Sequence, residues 1–158
     1  MSSSQDLEEE YARVPLKRLD PVVGYRETVR VESRATALSK SQNKHNRIWA
    51  SAQPLSDDLI EAVEADRIGP FDDPQARTRL LVDDHGWDMS HARKIWAFGP
   101  GESGANVLVD QTHGVQLMNE VKDSVVTAFK WTTNGGVLVE EPMRGVRLNI
   151  LDATVRIL

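Results

Sequence analysis

Two different hydrophobic periodicities follow one another in the last third of the chain, and that succession restricts the fold more than any other feature. Over residues 114–131, Val115, Met118, Val121, Val125, Val126 and Phe129 fall within about 140° of one another on a helical wheel, the stripe of an amphipathic helix. The turn residues Asn134, Gly135 and Gly136 interrupt it. Val146, Leu148 and Ile150 then alternate with Arg147 and Asn149, the period of a half-buried strand. After Leu151 the phase changes and Ala153, Val155 and Ile157 take over, which predicts a bulge or strand exit near Asp152. The segment therefore carries both a helix and a strand, each with one apolar side to bury. Lys122 lies inside the helical stripe and must either lead its ammonium out along its methylenes or meet a carboxylate.

The chain has 158 residues, of which 40% are hydrophobic and 27% charged. That is one ordinary domain, or one and a piece, with enough apolar material for a core that needs no staple. It has no cysteine, which excludes disulfides, thiol chemistry and cysteine-based zinc sites. With no signal-like apolar stretch, this favours a cytoplasmic or nuclear location. No apolar run approaches the roughly 20 residues of a membrane helix, so no membrane partner is expected. The net charge of −5 argues against a general nucleic-acid coat but leaves room for a local basic patch.

Further upstream, MSSSQDLEEE is polar and then acidic, and Met1 to Ser4 read as a frayed start. From Arg13 to Leu38 valines and threonines punctuated by Pro15 and Pro21 suggest extended chain, with Val29, Val31, Ser33, Ala35 and Ala37 on one face. A second extended stretch puts Ile48, Ala50 and Ala52 on one face and Arg47, Trp49 and Ser51 on the other. The wholly polar segment Ser39 to Asn46 between them predicts an exposed hairpin loop. Three helix starts follow. Ser56 before Asp57 and Asp58 offers a capping oxygen and two acids for the positive end of the dipole, with Leu59, Ile60 and Val63 as the buried side. Asp73 before Pro74 opens a second helix that should stop near Gly86. Asp88 caps a short third one, expected to run through Ala92, Ile95 and Trp96 until Gly99, Pro100 and Gly101 end it. Asn106 to Val109 read as a short apolar strand.

Several motifs imitate chemistry. GPGESGAN, from Gly99, has the G-x-x-x-x-G spacing of a phosphate loop, but Ala105 and Asn106 stand where Lys and Ser or Thr would reach the phosphates and magnesium. No cofactor site follows from it. His45, His85, His91 and His113 are scattered, without the spacing that converging metal ligands need, so no metal is expected. Asp57, Asp58, Asp72, Asp73, Asp83, Asp84 and Asp88 are explained by helix starts, turns and solvated faces, and no catalytic residue is assigned. The remaining cluster is basic. Residues 26–47 carry Arg26, Arg30, Arg34, Lys40, Lys44 and Arg47 against Glu27 and Glu32, whereas residues 55–75 carry seven acids and one base. Such asymmetry would orient the domain against a polyanion. The residues alone leave a solvated loop and a contact loop equally open.

Particular strings go further. DPVVGYRETV (20–29), ALSKSQNKHNRI (37–48), ARKIWAFGP (92–100), VKDSVV (121–126) and MRGVRLNILDAT (143–154) resemble eukaryotic translation elongation factor two, fungal forms especially, in order from Asp6 to about Val155. The resemblance implies that residues 1–31 are the end of that factor's third domain with its linker. It makes 32–158 most of the fourth domain, truncated at its C-terminal end, with an α/β fold like the second domain of a small-subunit ribosomal protein. In the family this domain enters the decoding region during translocation. The stretch matching Ser39 to Arg47 is its tip, so Lys40, Asn43, Lys44, His45 and Arg47 become candidate contacts to ribosomal RNA, tRNA or mRNA. The implied partner is the ribosome, the implied location the cytoplasm and the implied state a monomer without a small-molecule substrate. Gln42 departs from the family's usual proline, which should loosen the loop. The GTPase domain, with the GTP and magnesium it binds in the intact parent, has no counterpart here, nor has the family's diphthamide segment. Two other readings are a split gene product without independent function and a fragment of the spliceosomal elongation-factor-like GTPase of the U-five particle. That relative shares IWAFGP, but KSQNKHNRI and DQTHGVQ fit the translation factor better.

Overall fold

A computed structural model describes residues 20–102 and 104–156. Five strands, β1 (Ala37–Lys40), β2 (Arg47–Pro54), β3 (Ile95–Gly99), β4 (Asn106–Asp110) and β5 (Val146–Thr154), form one sheet in the order β1-β2-β5-β4-β3. Four helices accompany them: α1 (Asp57–Glu64), α2 (Pro74–Asp83), α3 (Met89–Arg93) and α4 (Met118–Asn134). All pairings are antiparallel except β4 with β5, the parallel neighbours joined by the crossover through α4. The α/β class that the resemblance implies is the class observed.

Register assigns the two faces. Val107 lies opposite Arg147 and Val109 opposite Asn149, and across β5 the partners of Arg147 and Asn149 are Gln53 and Ser51. On the other face Leu108 meets Leu148, and Leu148 and Ile150 meet Ala52 and Ala50. The apolar stripe of α4, with Met118 and Phe129 buried, packs there with Leu108, Ile150 and Ala153. The first three helices bury Leu59, Val63, Leu81 and Ala92 against Phe98, Val107 and Val109 on the opposite face. Lys122 leaves the α4 stripe by lying over the Trp96 ring, 5.7 Å from its centroid, a cation–π contact rather than a carboxylate partner.

The expected bulge is present. Trp49 pairs with Asp152 and Ala50 with Ile150, so Leu151 is the extra residue that moves the inward face from Ile150 to Ala153. Asp73 caps α2 by accepting from the amides of Gln75 and Ala76, and Asp88 caps α3 through Ser90 and His91. Gly86, at φ 65°, adopts the left-handed turn that follows α2.

Other expectations need correction. Ser56 stands at the start of α1 but its side chain makes no capping bond; the two acids that follow supply the dipole complement. The third helix ends at Arg93, and Ile95 and Trp96 begin β3. There the backbone finds a ladder partner in β4, and a five-residue helix has too little cooperativity to compete for it. Helix α4 starts at Met118, after Val115. Residues 20–36 are mostly irregular, although Ser33 pairs with Ala52 through its amide (2.8 Å) and hydroxyl. Arg147 and Asn149 are buried rather than solvent-facing. The expected frayed start and the place of Ile157 lie outside the described residues.

Glu27 ties that irregular segment to the turn after α4. Its amide donates to Pro142 O and its carbonyl accepts from Arg144 N. Its carboxylate accepts from the amides of Leu138 (2.9 Å), Val139 (2.7 Å) and Glu141 (3.3 Å). A side chain at Gly136 would collide with this carboxylate. Burial alone would raise the Glu27 pKa, but the three amides outweigh it and hold it below the ordinary glutamate value. A depressed carboxylate stabilises the fold fully above its ordinary value and loses that contribution as pH falls through the lowered one. The amide resonances of Leu138 and Val139 should therefore shift together in an acid titration followed by NMR, with a midpoint below 4.5. In Glu27→Gln that step should vanish and the 136–141 turn should exchange faster.

Candidate nucleic-acid interface

The β1–β2 hairpin forms because its loop closes on its own polar groups. Ser41 to Lys44 make a turn in which the Lys44 amide donates to Ser41 O (2.8 Å), and the Ser41 amide donates to Asn46 O (2.9 Å). The Ser41 hydroxyl donates to Asn43 Oδ1 (2.6 Å) and accepts from the Asn46 amide, while Asn43 Oδ1 also accepts from the His45 amide. Lys44 takes the left-handed conformation, φ 62°, which directs the chain into β2. Gln42 occupies the second position of the turn, where proline's fixed φ would be accommodated; the five hydrogen bonds close the loop without it. At the base of the loop Asn46 Oδ1 accepts from the Arg156 amide at 2.7 Å.

All five candidate side chains, those of Lys40, Asn43, Lys44, His45 and Arg47, are exposed, and the loop brings them to one end of the sheet. Their roles divide. The oxygen of Asn43 is consumed in shaping the loop, leaving only its amide nitrogen free to reach outward. Lys40 and Arg47 are direct cross-strand partners, a like-charge juxtaposition that costs the hairpin stability. Among the described residues the one ion pair is Arg144 with Glu64, a surface contact worth about 0–1 kcal/mol. No carboxylate among them neutralises Lys40, Lys44 or Arg47. Three unpaired cations on a loop stiffened by its own hydrogen bonds can act on a polyanion, and their mutual repulsion falls when one binds.

The other motifs behave differently. The loop from Gly99 leads into β4, not into a helix, so it lacks the helix N-terminus that holds phosphate. Asn106 is fully buried. It spends its side chain on the backbone, donating to Gly99 O (2.8 Å) and Met143 O (2.7 Å) and accepting from the Val146 amide (3.0 Å). A side chain at Gly104 would run into the Gly99 carbonyl. The described residues of this loop therefore lack the parts of a phosphate loop. Among the described residues no group of His, Asp and Glu converges as a metal site, and no helix is long and apolar enough to cross a membrane.

The family model for elongation factor G, domain IV, matches residues 69–156, more than half of the chain. The chain belongs to the elongation factor G domain IV family. The match begins after the hairpin, yet the hairpin is joined to matched domain IV structure, because β2 is hydrogen-bonded along its whole length to β5. Reasoning from residues missed a second polar constellation of this sheet, formed by Arg147, Asn149, Gln53, Ser51, Gln111 and His91. The alternation of Arg147 and Asn149 with apolar residues was legible, but it read as a solvated face because nothing local shows a helix lying over it.

The Lys40 and Arg47 pair gives a test with a definite sign. Lys40→Glu replaces a repulsive cross-strand pair with an attractive one and should stabilise the domain by roughly 0.5–1 kcal/mol. Urea denaturation should show a higher midpoint at low salt, with the gain shrinking as salt is added.

Proposed function

We propose that this chain supplies the ribosome-facing domain of a translation elongation factor of the eukaryotic elongation factor two type, close to the fungal forms. In this reading residues 1–31 belong to the end of the preceding domain and its linker, and 32–158 to domain IV. The β1–β2 hairpin is the tip that contacts ribosomal RNA or the tRNA and mRNA in the decoding region. Lys44 and Arg47 make phosphate contacts, Lys40 a third, and His45 and Asn43 offer polar or stacking contacts beside them. The chain itself is not an enzyme. GTP hydrolysis, with its magnesium, belongs to the GTPase domain of the intact parent and is coupled to translocation there. The domain acts as a monomer in the cytoplasm.

The observation that carries this reading is the opposed, unneutralised Lys40 and Arg47 pair flanking Lys44, on a loop whose shape is fixed by its own hydrogen bonds. Evolved for stability alone, such a hairpin would carry a carboxylate at one of these positions.

Co-sedimentation with ribosomes tests it. Binding should be weak and salt-sensitive, with a slope of roughly −2 for three phosphate contacts. Lys44→Glu combined with Arg47→Glu should abolish it while leaving the unfolding transition in place. Equal binding by the wild-type chain and this variant would refute the hairpin as the contact.

A further inference from the structure

On the sheet face opposite α4, the half of β2 nearest Pro54 is held by polar groups instead of apolar contacts. Asn149 is fully buried and uses all its hydrogen-bonding capacity. Its oxygen accepts from Arg147 Nε (2.7 Å) and Gln111 Nε2 (3.0 Å), and its nitrogen donates to Gln53 Oε1 (3.1 Å) and, at 3.5 Å, to Ser51 Oγ. Arg147, also buried, lies over the Trp87 ring at 4.1 Å. Its Nη2 stands 3.1 Å from His91 Nδ1. A guanidinium has no acceptor, so this contact exists only if Nδ1 carries a lone pair, which requires a neutral imidazole with its proton on Nε2. Through this chain β2 is connected by way of β5 to α3 in the helical layer.

The bulge at Leu151 divides β2 in two. Ser51 to Pro54 lie on the clamped side, and Arg47 to Trp49 lie beyond the bulge, held by the ladder, by the packing of Ile48 on the cluster under α4 and by the bond from Arg156 to Asn46. On the face of the first three helices, the polar link from the basic hairpin to the helical layer runs through the clamp.

We propose that Arg147 and Asn149 are positioning residues for the basic hairpin, and that neutral His91 is the proton-sensitive member of this clamp, so that protonating His91 releases the hairpin from the helical layer. Protonation turns an accepted hydrogen bond into two cations face to face in a partly buried site. The charged groups around His91 are Arg147 from β5, Asp88 at the start of α3, Lys94 at its end and His113 from the segment after β4, with Glu32 near Arg147. Asp88 favours the proton, but its carboxylate is already engaged by the Ser90 and His91 amides. Burial first, and Arg147 next, hold His91 below the ordinary histidine value. The clamp is thus fully in force above about pH 6.5 and is lost as pH falls through the lowered value.

This inference deepens the reading of the hairpin as the contact element, but its test uses no ribosome, so either can fail alone. Amide hydrogen exchange of the full chain, corrected for intrinsic rates, would be compared between pH 7.5 and pH 5.5. We expect β1 and β2 amides to lose protection by up to about tenfold per pH unit, the limit for one proton, while α2 amides change much less. His91→Asn keeps an acceptor oxygen near the Nδ1 position and cannot titrate; its hairpin should be protected as in the wild type at pH 7.5 and show no acid loss. His91→Ala should expose the hairpin at both pH values. Parallel loss in β2 and α2, no acid loss in the wild type, or undiminished acid loss in His91→Asn would each overturn the proposal.

Discussion

Asn149 occupies the point at which the two halves of the sheet are joined, and the rest of the structure depends on its four hydrogen bonds being made together. Strand β5 runs between β2 and β4 and is covered on both faces, so its polar residues must be satisfied inside the protein. On the α4 side Leu148 and Ile150 meet this requirement by being apolar. On the other side Asn149 and Arg147 meet it by binding one another and the side chains of β2, α3 and the segment after β4. A buried amide left with any of these unmade would cost on the order of 1–3 kcal/mol. The same geometry that satisfies it fixes where β2 can lie.

A second device of the same kind acts at the other end of β5. Asn106 joins the ends of β3 and β4 to the start of β5 through Gly99, Met143 and Val146. Glu27 holds the turn between α4 and β5 through three amides. The apolar clusters supply the bulk of the folding free energy, but these three polar side chains choose the register and the loop paths. The hairpin, by contrast, is built against stability at its mouth, where Lys40 faces Arg47, and its loop is stiffened from within. A firm base with an electrostatically strained, exposed tip suits a domain that presents charge to a large polyanion.

Much of this was legible in the sequence where the determinants are local. The stripe from Val115 to Phe129 located α4, the Ser39 to Asn46 polar run located the hairpin loop, and the phase change after Leu151 located the bulge. Asp73 and Asp88 marked their helices because capping is decided within three residues. What was not legible depends on distant partners. Ile95 and Trp96 continue a helical pattern locally and become a strand only because β4 offers a ladder. Arg147 and Asn149 alternate as a surface would, and only the packing of α3 and Trp87 over them makes them interior. Glu27 gave no signal at all, since its three amides lie more than a hundred residues away in the chain.

The central proposal is that the β1–β2 hairpin, and no other basic surface, meets the ribosome. Lysine acetylation footprinting of the chain with and without small ribosomal subunits, read by mass spectrometry, tests it residue by residue. The account predicts protection of Lys40 and Lys44, with Lys130 on α4 modified equally in the two samples. Protection of Lys130 with Lys40 and Lys44 unchanged, or the same modification at all three with and without subunits, would contradict it.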